Sequence, residues 1–265
     1  MKIKILVFAL LTTILSCTSK YDDSNRYVKI LTDDGDIIVK LYNETPIHTN
    51  NFVKLTEDKF YDGQIFHRVI KDFVIQGGDP ETRNPKPGKI YGEKDAGYTL
   101  DAEIIDTLIH KRGIIAMARE ADDVNPEKKS SSSQFYIVTG KVYTNSELDK
   151  LEENLNKKLR EQVEKKLFDS LLQTDTNFDT HTLSQITQKV SILADSTMNC
   201  KRIKFSDKQR EIYTTAGGIP HLDGNYTVFG EVVEGYEVVE KISEVSTDSN
   251  DRPLKDIRFK VRIVK

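Results

Sequence analysis

The chain has 265 residues, 37% of them hydrophobic, and a formal net charge of −3 at pH 7. That apolar content argues against disorder throughout, and the length suits one generous domain or a domain carrying an insertion. With no basic excess to neutralise phosphates, nucleic acid is excluded as a partner class.

Lys2 and Lys4 precede an apolar stretch from Ile5 to Leu15, followed by Ser16-Cys17 and a polar tract. The stretch is shorter than the ~20 residues a membrane-spanning helix needs, so residues 1–16 read as a secretory signal. Ile14-Leu15-Ser16-Cys17 is similar to a bacterial lipobox, in which the cysteine becomes the lipidated first residue of the mature protein. With Cys17 acylated, Cys200 is the one thiol left and no intramolecular disulfide can form. The sequence therefore predicts export to the bacterial cell envelope, anchoring to a membrane through lipid on Cys17, and a short tether over 17–26. Whether the protein faces the periplasm or the outside is left open.

Tyr27 to Leu31 and Asp36 to Tyr42 read as strands around a Thr32-Asp33-Asp34-Gly35 hairpin turn. Thr45-Pro46 starts a helix, with Thr45 as N-cap and Phe52, Val53, Leu55 and Phe60 on its apolar face. Next comes the run from Phe66 to Asp79, in which Val69-Ile70 and Phe73-Val74-Ile75 form two short strands and Gly77-Gly78 allows a sharp turn. If these strands pair, Arg68 stands near Gln76 with Phe73 close by. A guanidinium beside an aromatic ring and a neutral amide, with no nucleophile between them, suits binding and polarising a carbonyl or amide. An arginine flanked by hydrophobes on a strand is ordinarily a solvated edge residue, so the pattern takes its weight from the rest of the chain.

Pro80 to Gly97 is loop by its proline, glycine and charge content. Strands are predicted over Thr99–Ile105, Gly113–Ala118, Gln134–Thr139, Thr227–Val232 and Ile257–Val264, with a second helix over Gly235–Ile242. Many short strands with two helices among them indicate a closed antiparallel barrel. Between them the pattern breaks. Leu148, Leu151, Leu155, Leu159, Val163, Leu167 and Leu171 recur at helical spacing, with Asn145 or Ser146 as cap, and Asp179 to Ala194 forms a second amphipathic stretch. The two predict a helical hairpin.

The Phe66–Asp79 run, Gly113-Ile114-Ile115-Ala116-Met117-Ala118, Ser133-Gln134-Phe135-Tyr136-Ile137-Val138 and the block from Leu222 to Val232 together resemble the cyclophilin family of peptidyl-prolyl isomerases. The resemblance implies a mainly β fold, a closed eight-stranded antiparallel barrel capped by two helices, over 27–143 and 211–265. Residues 144–210 are then an inserted helical hairpin, either a solvated decoration or an arm for a protein partner or substrate. The implied activity is non-covalent cis-trans isomerisation of Xaa-Pro bonds in unfolded or extended polypeptides, without cofactor or metal.

By the same resemblance Arg68, Phe73 and Gln76 are catalytic: Arg68 donates toward the proline nitrogen and Gln76 orients it. Val74, Tyr136, Leu222 and Tyr226 belong to the proline pocket, and Ala118, Arg119 and Gln134 to the groove before it. Phe66 and His67 complete the substrate-binding set, in packing and supporting roles. The chain departs from the common pattern at Arg119, where asparagine is usual, at Tyr136 for phenylalanine, at Tyr226 for histidine, and in a longer, serine-rich loop over Asn125–Ser133. His221 stands where cyclosporin-sensitive relatives carry tryptophan, which implies weak binding of that drug. The alternative is a non-catalytic proline-peptide binding module or a holdase chaperone using the insertion. Hydrolysis finds no support: Gly-x-Ser-x-Gly and His-Glu-x-x-His are both absent from the sequence.

Overall fold

The computed structural model describes residue 22, residues 24–174 and residues 183–264. The predicted secretory signal and the lipidation at Cys17 lie outside the described residues. No described helix is long and apolar enough to cross a membrane.

Strands β1 (Arg26–Thr32) and β2 (Gly35–Leu41) form the expected hairpin, Thr32 facing Gly35. The Thr32 hydroxyl donates to the Gly35 carbonyl at 2.8 Å and accepts the Asp34 N–H at 3.1 Å, closing the turn. Helix α1 (Pro46–Glu57) follows. Thr45 precedes it, but its buried hydroxyl makes no cap bond. The helix start is instead capped from a distant loop: Glu103 accepts the N–H groups of Ile47 and His48, both at 3.0 Å, and the His48 ring at 2.7 Å. A carboxylate at a helix N-terminus satisfies orphan donors and favours the dipole.

The remaining strands are β3 (Gln64–Ile65), β4 (Arg68–Ile70), β5 (Val74–Gly77), β6 (Thr99–Leu100), β7 (Ile114–Met117), β8 (Ser130–Ser131), β9 (Phe135–Val138), β10 (Val228–Glu234) and β11 (Arg258–Ile263). The fold is mainly β and antiparallel, as expected, but the closed eight-stranded barrel is in fact a curled sheet of nine strands, ordered β3-β11-β1-β2-β10-β7-β9-β5-β4. The extra strand has a local cause. The segment from Gln64 to Ile70 breaks at Phe66 and His67, where the Phe66 N–H donates to Ile257 and the His67 N–H to Gln76, so the chain changes partner from β11 to β5. The two ends of the sheet are therefore neighbours in the chain. The long strand expected over 99–105 is also shorter: β6 holds two residues and pairs with β8 in a separate ribbon, because Glu103 turns away to cap α1.

Strand alternation divides the side chains between two faces. Ile115, Met117, Phe135, Ile137 and Ile75 point inward to a core shared with Phe52, Tyr61, Phe66, Phe229 and Phe259. Helices α1 and α5 (Tyr236–Ser243) close this core with Phe52, Leu55, Val238, Val239 and Ile242. Ile114, Ala116, Tyr136, Val138 and Val74 point to the other face and form a second cluster with Val228 and Ile219.

Between β9 and β10 the chain forms α2 (Asn145–Thr174), α3 (Leu183–Lys201) and α4 (Asp207–Thr215). The third helix was not expected; a capping box between Ser206 and Gln209 starts it. At the start of α2 neither Asn145 nor Ser146 caps. Thr144 and Glu147 bond reciprocally, the Thr144 N–H donating to the carboxylate at 2.8 Å and the Glu147 N–H to the Thr144 hydroxyl at 3.2 Å.

At the strand switch, His67 is 4% exposed and neither ring nitrogen finds a hydrogen-bond partner among the described residues. Burial, the chief cause, pushes its pKa down to about 4. The unfolded chain thus takes up a proton near pH 6.5 that the folded chain refuses until about pH 4, so stability is complete above pH 6.5 and is lost as the pH falls toward 4. Urea midpoints followed downward from about pH 7 are expected to fall more steeply for wild type than for His67→Leu; parallel curves would remove this residue from the acid response.

Candidate active site

The outward residues of five strands fall into one cross-strand row. Arg68 on β4 faces Gln76 on β5, Gln76 faces Tyr136 on β9, Tyr136 faces Ala116 on β7, and Ala116 faces Val228 on β10. The hairpin turn between β4 and β5 lifts Phe73 beside this row. Arg68, Phe73, Val74, Gln76, Ala118, Arg119, Tyr136, Leu222 and Tyr226 line one cavity of about 150 Å³. Its floor is the outer apolar cluster, so the walls are apolar and the polar groups sit at one side.

Arg68 is held from two directions. Its Nη1 donates to Gln76 Oε1 at 3.4 Å, and its Nε lies 3.6 Å from Asp251 Oδ2. The guanidinium carbon stands 5.8 Å from the Phe73 ring centroid, and the side chain remains 38% exposed, so donors are left for a ligand. Gln76 is oriented in turn by Gln134: Gln76 Nε2 donates to Gln134 Oε1 at 3.1 Å, and Gln134 Nε2 donates to the carbonyls of Gly92 and Lys94.

Three residues of the expected substrate-binding set, Gln134, Phe66 and His67, lie outside the cavity, the last two having been expected in packing and supporting roles. Gln134 is buried beneath Gln76 and positions it. Phe66 is fully buried and stacks on Phe259 at 4.7 Å, because the strand switch turns it into the core. His67 is buried beside it. Arg119 lines the cavity but is not free to reach far: Nε donates to the Asn225 carbonyl at 2.7 Å, Nη2 pairs with Asp122 at 2.7 Å, and the guanidinium covers the Tyr226 ring at 4.7 Å. It stiffens the rim.

The serine-rich loop is also accounted for. Ser130 meets His48 Nε2 at 2.9 Å, Ser131 donates to Asp95 at 2.9 Å, the Ser132 carbonyl accepts from Asn51 at 2.6 Å, and Ser133 donates to the Gly78 carbonyl at 2.8 Å. Gly78 has φ +106°, and a Cβ there would stand 2.1 Å from the Ser133 carbonyl oxygen, so a glycine is required where β5 ends.

Behind the row lies a polar set that sequence reasoning missed. Asp223 Oδ1 accepts the His110 N–H at 2.8 Å and the ring Nδ1–H at 3.1 Å. Because the carboxylate only accepts, Nδ1 carries a proton, and in the neutral ring Nε2 accepts the Tyr136 hydroxyl at 3.0 Å. Asp223 Oδ2 accepts Tyr213 Oη at 2.7 Å and Gln209 Nε2 at 3.1 Å, both from α4. Burial, reinforced by Asp223, drives the Tyr213 hydroxyl far above its ordinary pKa, so it remains a donor. The Leu222-Asp223-Gly224 turn was legible, but its partners at 110, 136 and 213 were not. Among the described residues no three His, Cys, Asp or Glu side chains come together as a metal-ligand set.

The family model for cyclophilin type peptidyl-prolyl cis-trans isomerases matches residues 27–163 and 179–263. The chain belongs to this family. The Schizosaccharomyces pombe peptidyl-prolyl cis-trans isomerase ppi1 is 28% identical over 234 residues, 88% of this chain and 94% of that protein. A Streptococcus pyogenes protein named as a bifunctional phosphatase/peptidyl-prolyl cis-trans isomerase is 28% identical over 233 residues, but this chain spans 37% of its length. In fold, the chain is similar to a Cryptosporidium parvum cyclophilin type peptidyl-prolyl cis-trans isomerase at TM-score 0.54 and 22% identity, covering 91% of this chain and 98% of that one. That protein was also crystallised in the presence of the dipeptide ala-pro. The cyclophilin fold thus accommodates α2, α3 and α4 between β9 and β10.

Tyr213→Phe deletes one charge-assisted donor and little volume. It is expected to lower the unfolding free energy by about 1.5–3 kcal/mol, read from denaturant titration. An unchanged midpoint would mean that the Tyr213–Asp223 bond does not hold α4 to the cyclophilin body.

Proposed function

We propose that this cyclophilin accelerates rotation about Xaa-Pro peptide bonds in exported polypeptides, without a covalent step. The observation that carries the proposal is Arg68, fixed between Gln76 and Asp251 over Phe73, at the polar side of a small apolar cavity. The crystallised relative's dipeptide supports a proline-containing ligand. Cys17 and the preceding apolar stretch support the export context and a lipid anchor in the bacterial envelope.

The cis and trans forms before proline differ by about 0.5–1 kcal/mol, whereas the barrier to rotation is about 18–20 kcal/mol. The barrier is the resonance of the amide, so a group that localises the nitrogen lone pair lowers it. A proline ring set against Phe73, Val74, Tyr136 and Leu222 leaves its amide to rotate at the Arg68 side. There the guanidinium donates toward the nitrogen, a contact strongest in the twisted state, where resonance is broken. The Tyr136 hydroxyl is turned away to His110, so the pocket meets the ring and not a competing donor. Gln76 and Asp251 hold the fork in place in the absence of substrate, which reduces the cost of orienting it at the moment of rotation.

A proline-peptide binding module would need the same pocket but not the guanidinium geometry. The protease-coupled rate on a proline tetrapeptide is expected to fall by about 100-fold or more in Arg68→Ala, with the circular dichroism spectrum unchanged. Arg68→Lys is expected not to restore it, since an ammonium lacks the planar fork. A wild-type chain that binds the peptide but leaves its rotation at the uncatalysed rate would turn the assignment to the binding module.

A further inference from the structure

The base of the insertion is fixed to the pocket by bonds from several sides. Tyr213 and Gln209 of α4 reach Asp223, next to Leu222. Arg210 of α4 pairs with Asp149 at 2.9 Å and Glu152 at 2.8 Å on α2, and Glu152 also accepts the Phe205 N–H at 2.6 Å. The Asn156 side chain brackets Ile203, accepting its N–H and donating to its carbonyl, each at 2.8 Å. The first half of α2 therefore has a set position relative to His221 and Leu222.

Between this part of α2 and His221 lies a second cavity, of about 710 Å³, within the roughly 300–1,000 Å³ of ligand sites. His221 joins it to the proline pocket, because the imidazole lies parallel to the Phe73 ring at 6.0 Å. Leu151 and Leu155 supply partly buried apolar surface, packed on the cluster around Leu148 and Phe205. Lys157 and Lys158 line the same cavity. Neither has an ion-pair partner among the described residues, whereas nearby Arg160 and Arg210 are both paired. Burial keeps the His221 imidazole below its ordinary pKa, with His110 and, to a smaller extent, Lys158 adding to the effect. Glu161 is the one acid among the lining residues, so the cations are in excess.

We propose that α2 extends the proline pocket into a longer groove, which holds the flanking part of the same polypeptide substrate: an extended segment with an apolar side chain and a carboxylate near the proline. This rests on the isomerase reading of the pocket. Continuity through His221 makes the occupant the substrate chain itself, and the unpaired lysines select acidic over basic flanks.

The test uses the full chain and compares a proline tetrapeptide of small uncharged residues, which offers the groove neither a large apolar side chain nor a charge, with longer peptides that carry leucine and glutamate, or leucine and lysine, on the flank of the same proline. Wild type is expected to show a KM about three- to tenfold lower for the acidic peptide than for the basic one. The double variant Lys157→Glu, Lys158→Glu is expected to reverse that order while leaving the tetrapeptide rate unchanged. Leu155→Ser is expected to raise KM for both longer peptides and not for the tetrapeptide. Equal KM values for the acidic peptide in wild type and the double variant would overturn the groove. So would a change confined to self-association in sedimentation, which would give this surface to a second copy. An inactive wild type on every peptide would instead remove the isomerase reading, and fluorescence anisotropy with the acidic and basic peptides would then still judge the groove by the same ordering.

Discussion

The two-residue alternation of β5, β7 and β9 governs both the core and the site. Each of these strands is four residues long, and each sends every second side chain to an aromatic interior and the others to the outer face. A one-residue slip in β9 or β5 would exchange Tyr136 with Phe135 or Gln76 with Ile75, placing a polar group in the core and an apolar one at the site. The interior rings therefore do more than stabilise the sheet. Phe135, packed edge-on against Phe52, Tyr61 and Phe259, fixes the register that holds Tyr136 outward.

On the outer face, polar side chains are held by one another in series. Arg68 rests on Gln76, Gln76 on Gln134, and Gln134 on the carbonyls of the 92–94 loop. On the other side Tyr136 rests on His110, His110 on Asp223, and Asp223 on α4. The two chains of bonds meet at neighbouring positions of the cross-strand row, Gln76 and Tyr136. The loop before β6 and the helices after β9 thus both act on the pocket from outside the sheet.

What could be read from the sequence was what the local chain determines. Arg68, Phe73 and Gln76 lie within one tight hairpin, so alternation alone brings them together. The outward row from β9 and the Leu222 turn came from block resemblance, and the helical spacing of the leucines announced α2. The misses share one physical cause: each depends on a partner far along the chain. Glu103 caps α1 from 55 residues away, so Thr45, a good local candidate, has its hydroxyl unused. Asp223 and His110 are 113 residues apart, and Asp251 approaches Arg68 from the C-terminal part of the chain. Phe66, expected to pack, is buried, but the break in the strand that turns it into the core is marked by nothing in its immediate neighbours.

The distant cap on α1 also has a kinetic meaning. Before the loop around residue 103 arrives, the exposed N–H groups of the first turn of this helix have only water as acceptor, so a twelve-residue segment starts weakly until a long-range contact forms. Closing a loop of that length carries an entropic cost that local turns do not, and the aromatic face of α1 completes the interior. The persistence of the first turn of α1 thus rests on the Glu103 contact. A contact of this kind that forms after the folding transition state shows itself, when lost, as faster unfolding with the rate of folding little changed.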